Sequence, residues 1–249
     1  MIECEFQKLK RKRFIQFTIV AATLFPIPLT AVMLKDKLPF KNLFRSMFFF
    51  GDLLFLPCVL GILASMLFFM ERDNDTLKNL LTIPISRTGI LLVKLLVLLI
   101  LSVIYSVAGL GATLVGGILV KGVEQVPQYL LCSIFAGVLV FLATLPAIAI
   151  VIICNKNYIF SILLSFVYAI IGFLIANSMA SEVGTPGIFI SAFPIPLVFR
   201  WYIGFFSLGE QFSYLLPYEL STLPVFAILV VIGIICSIIA VIFYKHEEG

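Results

Sequence analysis

The sequence predicts an all-α integral membrane protein. Six transmembrane helices are joined by an N-terminal interfacial helix, a short cytoplasmic helix between spans two and three, and re-entrant extracellular helices before the last span. Three observations lead there. Hydrophobic residues make up 62% of the chain and charged residues only 12%, where soluble domains carry roughly 25% charge. The apolar residues gather into six runs near or above the ~20 residues that a helix needs to cross a bilayer. Phenylalanine occurs 25 times, which suits lipid-facing and interfacial surfaces.

Residues 1–13, MIECEFQKLKRKR, alternate charge and apolarity. Ile2, Phe6 and Leu9 share a helical face while Lys8, Lys10, Arg11, Lys12 and Arg13 meet anionic headgroups, as in an interfacial helix. The apolar run behind them is long enough to span and shows no small-residue cleavage site, unlike a secretory signal. The first span covers 14–34, with Pro26 and Pro28 loosening its outer half. A polar connector with Lys35, Asp36, Lys37, Lys41 and Arg45 leads to the second span, 47–70. Asp52 lies near the start of that span and is the one ionisable residue expected well inside any of the six. Arg45 or a backbone amide satisfies it there, a structural pairing rather than a functional one.

Residues 71–94, ERDNDTLKNLLTIPISRTGILLVK, concentrate charges, amides, hydroxyls and a proline in an otherwise apolar chain. Asn74 or Asp75 caps a short helix on which Leu77, Leu80 and Leu81 share a face. Pro84 disfavours helix at Ile83, and Ser86 caps the next one. A helix of about two turns falls below the ~12–15 residues that are stable alone in water, so something must hold it. Two readings fit: the leucines dock into a groove on a cytoplasmic partner, or the loop rests on lipid headgroups.

The third span, 90–120, exceeds ~20 residues and must tilt or protrude. Gly109, Gly111, Gly116 and Gly117 give it a small face for close helix packing. A loop with Lys121, Glu124 and Pro127 precedes the fourth span, 129–153, bent near Pro146. Asn155, Lys156 and Asn157 form a polar turn before the fifth span, 159–180. Residues 181–222 are apolar but broken by Pro186, Gly187, Pro194, Pro196, Gly204, Gly209 and Pro217. They predict two short helical pieces, around 189–193 and 197–206, that enter the outer leaflet and turn back, buried against the spans. We read this region as an outer gate with Phe193, Phe199, Arg200 and Trp201 at its centre. Glu210, Glu219 or a lipid phosphate is the expected partner of Arg200. The last span covers 223–244.

Six spans put both termini on one side. With that side cytoplasmic, inner segments hold eleven Lys and Arg residues and outer ones six, which favours a cytoplasmic N-terminus. No GxxxxGK[ST] loop, HExxH motif or Ser/His constellation is present, so neither nucleotide binding nor hydrolytic chemistry is expected of the chain. Acids at mid-membrane depth, common in gradient-driven transporters, are not expected either. The net charge of +4 is too small and scattered for nucleic acid. Cys4, Cys58, Cys132, Cys154 and Cys236 read as small buried hydrophobes, and His246, in the tail, has no neighbouring ligands.

The stretch 71–94, placed between spans two and three, resembles the cytoplasmic loop of ABC-2-type permeases. The matching positions are Glu71, Thr76, Leu77, Lys78, Leu80, Leu81, Pro84, Ser86, Arg87 and Lys94. The layout resembles that family too: a basic amphipathic N-terminus, six spans and a broken apolar segment before the last. The resemblance implies that 75–83 is a coupling helix fitting a cleft on a separate ATP-binding cassette subunit, with Glu71, Asp75, Thr76, Leu77, Leu80, Leu81, Pro84 and Arg87 in the coupling contact. It implies a single permease domain over 1–249 in the bacterial cell membrane and no cofactor in this chain, ATP and Mg being held by the partner. It further implies two permeases, copies or paralogues, working with two ATPases. The short permeases most like this chain belong to peptide exporters: lantibiotic and bacitracin immunity systems and exporters of phenol-soluble modulins. Two function classes stay open: an exporter subunit for amphipathic peptides or another hydrophobic drug or lipid, and a membrane scaffold that recruits a soluble partner without transport.

Overall fold

The computed structural model describes residues 13–73, 87–120, 123, 125–154, 157–180, 190–206 and 210–246. All regular structure among them is helical. Helices α1 (Arg13–Leu24) and α2 (Pro26–Lys35) form the first span, broken at Phe25 ahead of Pro26 and Pro28. The second span is continuous from α3 (Phe40–Met47) through a π-helical stretch, Phe48–Phe55, into α4 (Leu56–Asp73). Helices α5 (Arg87–Val120), α6 (Val126–Ile153) and α7 (Tyr158–Ala180) supply spans three to five. A 3₁₀ turn (Ile190–Ala192), α8 (Pro194–Phe205) and a second 3₁₀ segment (Glu210–Tyr218) precede α9 (Thr222–His246), the last span. Six stretches are long and apolar enough to cross a membrane: Thr18–Lys35, Phe40–Phe69, Thr88–Leu119, Val126–Ile153, Tyr158–Ala180 and Thr222–Phe243.

These spans follow the hydropathy reading closely except in the second. That helix begins at Phe40 rather than at residue 47, so most of the expected polar connector is helix. The reason is legible in FKNLFRSM: Phe40, Leu43, Phe44 and Met47 recur at i, i+3, i+4, i+7 and are all buried. The low mean hydropathy of an amphipathic turn conceals it from a hydropathy reading. The interfacial helix expected at 1–13 lies outside the described residues up to Lys12.

Helix α6 is the hub, packing against α4, α5, α7, α8 and α9. In the most apolar 18-residue stretch of its span 72% of the residues are buried, against 22% in the corresponding stretches of the first and last spans. Side chains such as Val20, Ile27, Val231 and Ile235 therefore face outward, as lipid contact requires. The α5–α6 crossing is the tightest point. Ser102 Oγ donates to the Gly137 carbonyl at 2.7 Å, and a Cβ on Gly137 would lie 2.7 Å from Val103 Cα. Close backbone approach of this kind is how membrane helices associate where water supplies no driving force. The predicted small face of α5 is used in part. Gly116 abuts Thr30 and Gly117 abuts Phe40, whereas Gly111 faces nothing within 4 Å.

Most buried hydroxyls turn back onto their own helix. Thr30, Ser65, Thr113, Thr144 and Ser165 each donate to the carbonyl four residues earlier, at 2.6 to 3.1 Å. Helix α6 runs on through Pro146. There the Tyr168 hydroxyl of α7 donates to the Ala143 carbonyl at 2.6 Å, next to the turn that a proline loosens. Cys58 and Cys132 are buried, Cys154 and Cys236 half-buried, and all four are free thiols.

Gly137→Ala should destabilise the protein by about 1–3 kcal/mol, since the methyl meets backbone that cannot step aside. Thermal unfolding in detergent should show the loss, with Gly111→Ala unaffected. Equal stability of the two variants would contradict the close crossing.

Candidate functional site

The segment expected to dock a partner spans the gap between α4 and α5. Asp75, Thr76, Leu77, Leu80, Leu81 and Pro84 lie outside the described residues. Glu71 occupies the last turn of α4 and Arg87 the first residue of α5. Because α5 begins at Arg87, Lys94 is not part of a loop. It is two turns into the helix and within the third span. Its side chain is fully buried. Nζ donates to the Leu67 carbonyl of α4 at 2.8 Å and stands 4.6 Å from the centroid of the Phe68 ring. The contact with the Leu67 carbonyl is a charge-assisted hydrogen bond, and the aromatic face adds cation–π attraction. Lys94 thus fastens together α4 and α5, the two helices on either side of residues 74–86. Its sequence signal was the uniformly apolar set three and four residues away: Ile90, Leu91, Val97 and Leu98.

The second correction concerns Asp52. With the span starting at Phe40 and ending at Phe69, Asp52 sits within about one turn of the midpoint, not near an end. It is 4% exposed, lies on the π-helical stretch and has Ser106 of α5 as its hydroxyl neighbour. Ser106 Oγ nevertheless reaches no acceptor with good hydrogen-bond geometry. Arg45, the partner expected from sequence, instead lines a cavity on another side of the helix with Phe49, Phe50, Phe199 and Tyr214. The expectation that the spans hold no mid-depth acid is therefore overturned.

The four outer-gate residues do come together, on α8 and its N-cap. Ten of the twelve residues of α8, from Pro194 to Ile203, are buried, packed against α6, α7, α9 and the π-helical stretch. One helix of three turns replaces the second predicted piece, starting three residues earlier because Pro194 and Pro196 fit a first helical turn. The first predicted piece is reduced to the 3₁₀ turn. Phe193 contacts Tyr168, Phe199 contacts Phe49, and Trp201 contacts Phe135 and Phe205. Trp201 Nε1 donates to Thr222 Oγ1 at 3.1 Å, and Tyr202 stacks on Phe48 with ring centroids 4.1 Å apart.

Arg200 finds neutral partners. Nε donates to the Tyr218 carbonyl at 2.9 Å and Nη1 to Ser191 Oγ at 3.2 Å. Glu219 does not pair with it; the Glu219 stem lies beside Gly204, where any Cβ would come 2.6 Å from the Leu220 carbonyl oxygen. The side chain of Glu210 is outside the description. One guanidinium thus ties the 3₁₀ turn before α8 to the 3₁₀ segment after it. Tyr214 of that later segment donates to the Ala180 carbonyl at the end of α7 at 2.8 Å. Helix ends at such depth need partners of this kind, because lipid offers none.

A six-span helical bundle, a segment between spans two and three and a short buried helix before the last span define a membrane protein of transporter type. The model of the ABC-2 family transporter proteins matches residues 1–172, more than half of the chain, and the protein belongs to that family. The match covers spans one to four and ends inside α7, so α8 and α9 lie beyond it. The chain is also 29% identical over 126 residues to a bacitracin transport permease protein of Bacillus licheniformis, across 46% of this chain. That alignment spans 57% of the relative's own length.

In a background without native cysteines, Phe199→Cys should react slowly with a water-soluble maleimide, since Phe199 is 5% exposed. Adding Arg200→Met removes two charge-assisted hydrogen bonds and should speed that reaction by about tenfold or more. Fast labelling in the parent variant, or no acceleration, would show that Arg200 does not hold the segment.

Proposed function

We propose that the chain is the membrane-spanning permease subunit of an ATP-driven exporter. A separate ATP-binding cassette subunit would hold ATP and Mg and dock on residues 75–83, and two permeases would pair with two ATPases. The observation that carries this reading is the family match, which includes both helices flanking that segment. Energy supply rests on that membership and not on the absence of charged residues from the spans, since Asp52 and Lys94 are both there. Amphipathic peptides are the proposed cargo. The relative's name points to a peptide antibiotic, and outward-facing walls rich in Ile, Leu, Val and Phe suit a molecule whose apolar face slides along them. The excess of Lys and Arg near the N-terminus and between spans two and three favours placing these, and with six spans the C-terminus too, in the cytoplasm. Residues 190–222 would then close the outer end and open when the ATPases bind ATP. Lys94 would carry the motion of the docking segment into α4 and α5 together.

The experiment is Leu80→Asp. A charge placed in an apolar docking groove should abolish copurification with the ATP-binding subunit and cargo-stimulated ATP turnover, while insertion into the membrane is retained. Unchanged complex formation and turnover would remove the docking assignment.

A further inference from the structure

The first span packs along α5 and α3 and leaves a gap against the second. That gap is a cavity of about 400 Å³, walled by Thr18, Ala21, Ala22 and Phe25 on one side and by Met47, Gly51, Asp52 and Phe55 on the other, with Tyr105 behind. Its volume falls in the range of ligand pockets. Phe25, at the break of the first span, meets Phe55 with ring centroids 4.7 Å apart, so an aromatic pair stands at one edge. Almost everything else facing the space is hydrocarbon. The exceptions are Thr18 and Tyr105, hydrogen-bonded to each other, and Asp52.

Three independent features converge on Asp52. It is a carboxyl group near the middle of a spanning helix, where ionisable residues are costly and mark function. It lies on an eight-residue π-helical stretch, a distortion found mostly at functional sites. Among the described residues no lysine or arginine pairs with it, and Ser106 is its hydroxyl neighbour. A buried carboxyl group must either hold a proton or be paired, and beside this cavity an incoming cation can supply the counter-charge.

We propose that this cavity binds an apolar molecule carrying one ammonium group, with the ammonium on Asp52 and the hydrocarbon against Ala21, Ala22, Phe25, Phe55 and Val59. The chemistry is shared by a lysine side chain or amino terminus of an amphipathic peptide and by an aminophospholipid headgroup. Calling the ligand cargo rests on the permease reading, but binding by the purified chain alone does not, so either can fail without the other.

The test is photoaffinity labelling of the purified protein in nanodiscs of phosphatidylcholine, using an alkylamine that bears a diazirine. Label should map to the first span or to the Met47–Val59 region. Decylamine should compete about tenfold better than decanol, the advantage of a charge-assisted contact. Asp52→Asn should erase that preference and leave decylamine and decanol equal. Ala22→Phe, which fills the cavity without touching Asp52, should abolish the labelling and decides the matter if the Asp52 variant does not fold. Equal competition in the unmodified protein, preference surviving in Asp52→Asn, or labelling surviving in Ala22→Phe would each overturn the proposal. Adding phosphatidylethanolamine to the nanodiscs separates the two sources. Loss of labelling assigns the site to a lipid amine, and undiminished labelling to a peptide amine.

Discussion

The architecture depends on one close approach of two backbones. Where α6 crosses α5, Gly137 presents its carbonyl to Ser102 and leaves no room for a side chain against Val103. The first span and α3 pack on α5, while α7, α8 and α9 pack on α6, and α4 touches both. The crossing thus joins two groups of helices, which the second span also bridges, α4 packing on α5, α6 and α7. In lipid, where apolar side chains gain nothing by leaving the solvent, fit at such a contact is what association relies on.

Helix α8 is the second dependency. It is too short to span, yet almost wholly buried, and so its ends must be finished by protein rather than by water. Prolines supply the beginning, where the amide hydrogens would be unpaired anyway. Arg200 joins the turn before it to the segment after it, and Trp201 reaches the start of the last span. A single long cation with several donors is well suited to bridging neutral oxygens that lie on different strands of an irregular chain.

Span number and most span ends were legible because each rests on a long apolar run. What failed depended on register or on tertiary partners. Residues 40–47 look polar in the mean and become helix only because Phe40, Leu43, Phe44 and Met47 find a core. That one shift moved Asp52 from a helix end to its middle. Lys94 was read as the end of the 71–94 stretch; its buried position rests on the Leu67 carbonyl and the Phe68 ring, partners that only the tertiary structure brings to it. For Arg200 the expected carboxylate partners are common in general, but here a backbone carbonyl and a serine are nearer. Phe193, Phe199, Arg200 and Trp201 lie on one short buried helix and its N-cap, a placement that proline spacing and apolarity make legible. The π-helical stretch had no sequence signal that we recognise.

The hydroxyls that bond back to their own helices have a mechanical consequence. Ser65, Thr113, Thr144 and Ser165 are polar groups in the interior that nevertheless bind no neighbouring helix. Neighbouring helices can therefore slide past them by shear without any hydrogen bond having to break. Resistance to such sliding is concentrated at a few interhelical fasteners, chiefly Ser102, Tyr168 and Lys94. Between fasteners sliding is opposed by side-chain packing alone, as where Ser165 seats against Gly61.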